Sequence, residues 1–404
     1  MDYDEILKKV NPIYFSAKGC LHLLAATGDS DILNFYNDID KEQLTELDNE
    51  PITKSRVISL EARYNMWNVI AKETNCQNIV DLPCGYLPHS MITARLNKNY
   101  YGLDLPIVVD ELSAIADKYL NDAEKSLVQY HGIDATNYSS MRNALNGVEG
   151  NICIITDGLL GYFDRADLKV VCENIHRLLR EFGGCWYTAD AYFNELMGIT
   201  YAVLTGENQA TMLKATNSGS MKVSDSPNAT RIFLTGTHEE RRQFIEECGF
   251  SIKSFRYPDK LHVIPLLKDN PALMERLISA YSDIEGWILT ADNTESAENL
   301  ESDIPFAQEF DIKGNVLEIC IRGRLDTITA PKFLQKYEEQ QADSFTEIHI
   351  DAAELGYISY SGLRVFKIMC ENLTDTNLFK VSNANDEVGK ILKENGYTIL
   401  STAI

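Results

Sequence analysis

Apolar residues along the chain change their spacing near residue 75. Before that point they recur at helical intervals. The pattern predicts a helix over 31–36 with Ser30 as its N-cap and Asp31 in the first turn, then a long amphipathic helix over 59–74. After it, short apolar runs end in acids or turn residues. Residues 78–82, 100–104, 126–131, 151–157 and 184–190 read as five strands, separated by helical stretches at 90–96, 108–120, 138–145 and 166–181. Strands alternating with helices at this spacing predict an α/β, Rossmann-like domain, a parallel sheet covered on both faces, with its ligand outside the carboxyl ends of the strands. Residues 192–231 read as an insertion before a strand expected near Ile232, and the polar stretch 208–228 within it reads as a lid or an inert loop.

A second change comes further on. Leu273, Leu277, Ile278, Tyr281, Ile284 and Ile288 form a helical stripe, which predicts one connecting helix over 271–289. Residues 269–304 carry nine acids and one base, a local net charge of −8, and 291–303 read as a solvated linker. Strands are then expected at 310–312, 316–321, 347–350 and 378–382, and helices at 332–340, 362–373 and 387–395. About a hundred residues of mixed sheet and helix can enclose a core of their own. The expected division is a first domain over 1–268 whose residues 1–75 form a helical lid, a linker helix and acidic linker over 269–304, and a small α/β domain over 305–404.

Composition narrows the functions open to such a chain. The 404 residues are 45% hydrophobic, which excludes a disordered or fibrous protein. The net charge of −23 disfavours nucleic acid and anionic membrane surfaces as partners. No apolar run approaches the roughly 18 residues of a membrane span, and the expected location is the cytoplasm. The nine cysteines stand apart from one another, and the seven histidines form neither H-x-H nor H-E-x-x-H, so buried reduced thiols and no metal are expected.

The candidate chemistry lies at the strand ends. Asp81, Asp104, Asp134 and Asp157 each stand at or just after an apolar strand, where an acid can accept ribose hydroxyls or cap the next helix. A pyrophosphate cofactor would call for G-x-G-x-x-G after the first strand. This chain offers Pro83-Cys84-Gly85 instead, so a cofactor without phosphate is favoured over a nicotinamide dinucleotide.

Residues ~50–268 resemble a class I S-adenosylmethionine-dependent methyltransferase of the leucine carboxyl methyltransferase type, whose relatives methylate carboxyl and hydroxyl groups. The resemblance rests on Ala62-Arg63, on Ile79-Val80-Asp81-Leu82-Pro83-Cys84-Gly85-Tyr86, on Gly102-Leu103-Asp104-Leu105-Pro106 and on Asp157-Gly158-Leu159-Leu160-Gly161-Tyr162-Phe163. It implies that Arg63 pairs with the cofactor carboxylate and that Asp81 contacts its amino end through the turn Pro83-Cys84-Gly85. It further implies that Asp104 holds the ribose, Asp134-Ala135 border the adenine, and Asp157-Gly158 line the methionine side. The family pattern usually has Gly where this chain has Pro83. Arg63 also reads as a solvated helix residue, and the turn as a simple chain reversal. His89 and Tyr162 lie nearest the expected acceptor. His89 is either a base or a surface histidine at a helix start, and Tyr162 either orients substrate or packs.

The C-terminal portion resembles a STAS domain, the module of anti-sigma-factor antagonists and sulfate-transporter tails. The matching residues are Gly323-Arg324-Leu325-Asp326-Thr327, Ala330-Pro331 and Leu355-Gly356-Tyr357-Ile358-Ser359-Tyr360-Ser361-Gly362-Leu363-Arg364-Val365. The antagonists carry Asp-Ser-Ser-Gly-Leu with the first serine phosphorylated. Aligned on Gly362, this chain has Ser359, Tyr360 and Ser361 at the first three positions. What the resemblance implies is a docking surface around this helix start, with Ser359 and Ser361 as helix caps or substitute phosphoacceptors. The expected protein is an O-methyltransferase acting on a small molecule or protein, with a STAS module for regulation or docking. The alternative is a non-catalytic partner-switching protein whose pocket is vestigial or senses the cofactor.

Overall fold

A computed structural model of the chain describes residues 3–41, 44–207, 232–292, 304–340 and 345–400. Contacts divide it into two compact units, Tyr14–Glu298 and a second made of Met1–Ile13 together with Asn299–Ile404.

The larger unit opens with α2 (Tyr14–Ala25), α3 (Ser30–Asp38) and α4 (Pro51–Glu73), after α1 (Tyr3–Val10) of the other unit. The cap of α3 is Asp29, whose carboxylate accepts the N–H groups of Asp31 and Ile32, one residue earlier than the expected Ser30. Then follow β1 (Asn78–Asp81), α5 (His89–Arg95), β2 (Asn99–Asp104), α6 (Pro106–Tyr119), α7 (Asp122–Lys125), β3 (Val128–Gly132), α8 (Tyr138–Ala144), β4 (Ile152–Thr156), α9 (Arg165–Phe182) and β5 (Gly184–Thr188). After these come α10 (Phe193–Thr205), α11 (Ile232–Thr235), α12 (His238–Glu247), β6 (Phe250–Arg256), α13 (Pro271–Ala280) and β7 (Glu285–Ala291).

These strands form one seven-stranded sheet in the order β3-β2-β1-β4-β5-β7-β6. All neighbours pair in parallel except β7, which runs antiparallel to both β5 and β6. All residues of β1 and β4 are buried, as strands covered by helices on both faces require. The strand order reverses between β1 and β4, the position at which open α/β sheets place their ligands, outside the carboxyl ends of the strands.

Two expectations fail here. The residues near Ile232 are helical, and the strand that follows the insertion is β6. The helix expected over 271–289 ends at Ala280, and 285–291 form β7. Ile284 and Ile288 fit a helical stripe, but buried Trp287 and Leu289 alternate with Ile288 and Thr290 at the period of a strand, and pairing on both edges decides the matter. The expected lid stretch 208–228 and most of the expected linker 291–303 lie outside the described residues.

The smaller unit has β8 (Ala307–Lys313), β9 (Val316–Leu325), α14 (Thr329–Glu338), β10 (Glu347–Ile358), α15 (Tyr360–Glu371), β11 (Phe379–Ser382), α16 (Asp386–Glu394) and β12 (Ile399–Leu400). Its sheet runs β12-β11-β10-β9-β8, with β8 and β9 an antiparallel hairpin and the rest parallel. A Cβ on residue 362 would fall 2.7 Å from the Leu325 carbonyl oxygen, so the start of α15 lies against β9 only because Gly362 has no side chain. The core holds Leu317, Ile350, Phe333 and Phe366, and also Ile6 and Val10 from α1, which packs on α14 and α15.

Candidate active site

The four acids singled out above stand at or just past the ends of four strands of the larger sheet, and their surroundings differ. Asp81, at the end of β1, is 2% exposed and accepts three side-chain hydrogen bonds: Trp67 Nε1–H at 3.1 Å, His89 Nδ1–H at 2.8 Å and Tyr100 O–H at 2.7 Å. Three of its roughly four acceptor sites are taken by the protein itself. His89 is the first residue of α5, 3% exposed, stacked on Trp67 with ring centroids 3.8 Å apart and on Tyr64 at 5.3 Å. It is no surface histidine, and its Nε2 is buried without a hydrogen-bond partner.

Asp104, at the end of β2, is only partly buried. Its carboxylate accepts the Gly85 N–H at 2.8 Å and the Leu105 N–H at 2.7 Å. The enclosing chain pushes its carboxyl up to about 6 against the opposing pull of those two N–H groups. Gly85 has φ +53, a conformation an L residue rarely adopts. The turn it belongs to is tied down by the Cys84 N–H, which donates to the Leu103 carbonyl at 3.0 Å. The Cys84 thiol is buried and pushed well up by that burial, with Asp104 and Asp81 adding to the effect. Pro83 is half-buried in the same turn.

Asp134, past the end of β3, is 4% exposed and accepts both the N–H and the hydroxyl of Thr136. The Ala135 carbonyl accepts an N–H of buried Asn174 at 2.9 Å. Asp134 and Ala135 thus sit in a fixed turn beside the Asp104 strand end.

Asp157, after β4, faces Arg63 of α4. Arg63 Nη1 lies 2.8 Å from Asp157 Oδ1, and Arg63 is 6% exposed. The contact is close but misaligned, for both atoms lack a hydrogen-bond partner. Burial works against the guanidinium charge, but Asp157, Cys20, Asp190 and Tyr192 outweigh it. The ring of Phe193 lies 4.3 Å from the guanidinium carbon. Gly158 has φ +76 and open space where a Cβ would stand.

Three side chains at this corner escaped the sequence reading. Asp190 follows β5 as the other acids follow their strands. Burial and the nearby Asp157 push its carboxyl up to about 6, while its Oδ2 accepts the Leu159 N–H at 3.3 Å. Its position at a strand end was a legible signal. Ser16 and Cys20, from α2, carried none. Ser16 Oγ lies 2.7 Å from the Tyr162 hydroxyl, and Cys20 is a thiol pushed up by burial beside Arg63 and Asp157. Burial also pushes the Tyr162 hydroxyl up to about 12.

Helix α2 roofs these strand ends. A Cβ on residue 85 would fall 3.6 Å from Ala17 Cβ. Buried Lys18 pairs with Glu111 of α6 at 2.8 Å, and Glu111 also accepts the Tyr86 hydroxyl at 2.7 Å. The structure therefore gathers Arg63, Asp157, Asp190, Tyr162 and the α2 side chains at one corner and Gly85 with Asp104 at the next, and sets Asp81 and His89 behind them in the core. Among the described residues no three His, Cys, Asp or Glu cluster as metal ligands, and no helix is long and apolar enough to cross a membrane.

No family profile and no curated protein matches the chain. Among solved structures it is similar to a candidate O-methyltransferase of Nostoc punctiforme, with 12% identity and a TM-score of 0.33 over 67% of this chain and 69% of that one. An O-methyltransferase family protein of Burkholderia thailandensis is similar at 10% identity and a TM-score of 0.30, covering 72% and 73%. Human N-acetylserotonin methyltransferase, solved with SAM, is similar at 11% identity and a TM-score of 0.29, covering 68% and 67%. At these scores the likenesses establish neither activity nor substrate. The chain's own strand order defines the fold class: α/β, with a Rossmann-like seven-stranded sheet and a second, smaller sheet.

Proposed function

We propose that the larger unit is an S-adenosylmethionine-dependent methyltransferase of the leucine carboxyl methyltransferase type, acting on a carboxyl or hydroxyl oxygen, and that the smaller unit is a STAS-type docking module. The observation that carries the first reading is the buried Arg63, whose Nη1 lacks a hydrogen-bond partner, opposite partly exposed Asp104 across the point where the strand order reverses. A guanidinium without an aligned partner suits the carboxylate end of an amino-acid-bearing cofactor, and an acid beside a glycine turn suits its ribose. Asp157 with Gly158 would line the methionine portion, and Asp134 with Ala135 the adenine.

When bound, the cofactor supplies an electrophilic methyl group on sulfur. The protein's part is to align the acceptor and exclude water. Tyr162, pushed up to about 12, keeps its proton at neutral pH and can only donate to an acceptor oxygen or orient it. His89 is committed to Asp81 through Nδ1 and enclosed by Trp67 and Tyr64. Asp190, pushed up to about 6 at the same corner, would be the group to take a proton from an alcohol acceptor, whereas a carboxylate acceptor arrives ionised and needs no base.

Isothermal titration with S-adenosylhomocysteine tests the reading: binding to the intact chain, weakened about tenfold or more in Asp104→Ala, as expected for a lost charged hydrogen-bond acceptor. Absence of binding to the intact chain would defeat it. The pinned α2 roof favours a second reading, a non-catalytic regulator that senses the cofactor; binding without methyl transfer to any carboxylate or hydroxyl acceptor would favour that one.

A further inference from the structure

The first helix of the chain belongs to the last unit. Ile6 and Val10 of α1 are fully buried in the core of the smaller unit and Leu7 is 8% exposed, while Glu5 and Lys9 face solvent. Positions 6, 7 and 10 form one apolar stripe on an otherwise polar helix, laid against α14 and α15. Asn11 then fixes the register. Its Nδ2–H donates to the Thr327 carbonyl at 3.0 Å, its Oδ1 accepts the Ser361 hydroxyl at 2.5 Å, and the Val10 carbonyl accepts from Arg364 at 3.1 Å.

The two serines of this helix start consequently have different jobs. Ser359 is the N-cap of α15, accepting the Gly362 N–H. Ser361, 4% exposed, is spoken for by Asn11. Helix α1 packs on α14 and α15 and sends Ile6 and Val10 into the core between them. An eight-residue helix has little stability of its own and folds only where a face receives its stripe.

We propose that the face formed by α14 and the start of α15 is a helix-docking surface, that residues 3–11 occupy it within the chain, and that an amphipathic helix of a partner protein with the same spacing displaces them. The occupant defines the partner's chemistry: aliphatic side chains at i, i+1 and i+4, and an amide side chain at i+5 that meets Thr327 and Ser361. This deepens the reading of the smaller unit as a docking module and makes no use of methyl transfer.

The test uses the full chain and, as probe, a fluorescent peptide spanning residues 1–13. Wild type should bind the peptide only at much higher concentration than the vacated variant does, because the peptide must displace a helix tethered at high effective concentration. The variant Ile6→Asp/Val10→Asp should bind the peptide, and Asn11→Ala in the peptide should weaken that binding about tenfold, the loss expected for two buried hydrogen bonds. Failure of the folded variant to bind the peptide overturns the proposal. If circular dichroism shows the double variant unfolded, hydrogen exchange of full-length Asn11→Ala decides. Faster exchange confined to residues 3–11 and the first turn of α15 supports a displaceable helix, whereas unchanged exchange, or acceleration throughout the unit, shows α1 to be a fixed part of the core. Cofactor binding can fail without affecting any of these outcomes.

Discussion

Asp81 and Asp104 end neighbouring strands of one sheet and are the same residue type, yet they do opposite things. Asp81 takes hydrogen bonds from three buried side chains and is spent on holding α4, α5 and β2 together. Asp104 takes two backbone N–H groups, keeps part of its surface open and is pushed up to about 6. An acid at a strand end is therefore not yet a ligand. Donors reach both oxygens of each; what distinguishes the two is that the donors to Asp81 are buried side chains that enclose it, whereas those to Asp104 are two backbone N–H groups that leave part of it open.

That contrast can be broken experimentally. The largest effect should come from Asp81→Ala, which strands three buried donors at about 1–3 kcal/mol each, so a loss of roughly 3–9 kcal/mol is expected in urea denaturation. Full stability in that variant would mean that Asp81 is as available as Asp104.

Next comes the pH dependence carried by Asp190. Its carboxyl is raised in the folded chain to about 6, by burial and by Asp157. A raised acid binds its proton more tightly folded than unfolded, so its stabilising contribution is fully present below about pH 4 and is lost as pH rises through about 6. Asp190→Asn should remove about 1–3 kcal/mol of that fall, measured as the difference between the two proteins' denaturation curves at pH 4.5 and 7. Parallel curves for both proteins would refute it.

Asp104→Ala should be the mirror image of Asp81→Ala, with thermal stability nearly kept and S-adenosylhomocysteine affinity down about tenfold, or about 1.4 kcal/mol. The smallest effect belongs to the other unit, where Ser359→Ala should cost about 1 kcal/mol as the loss of a helix cap. Scanning calorimetry would detect it, and an unchanged melting temperature would deny Ser359 that role.

Much of the larger sheet was legible because its signals are local. The runs ending at Asp81, Asp104 and Asp157 are short, apolar and bounded by turns, and the Gly362 signature marks a close approach that only glycine permits. Other features depend on contacts distant in sequence. Nothing near Ile6 and Val10 announces that their partners lie more than three hundred residues away. Ile284 and Ile288 satisfy two periods at once, and only the pairing of β7 with β5 and β6 selects one. His89 reads as a surface residue at a helix start until Trp67 and Tyr64 are seen to enclose it. Asp190 was legible by the same rule as its four counterparts.

The membership of α1 bears on how this protein can be divided into working fragments. A single cut in the acidic stretch near residue 300 would leave an N-terminal piece carrying Ile6, Leu7 and Val10 as an uncovered greasy patch, and a C-terminal piece with the matching face bare. Both would tend to clump, and a loss of activity in either would report that stickiness rather than any missing chemistry. Fragments that begin at Tyr14 on one side, and that supply residues 1–13 on a tether to the other, respect the way the chain is built.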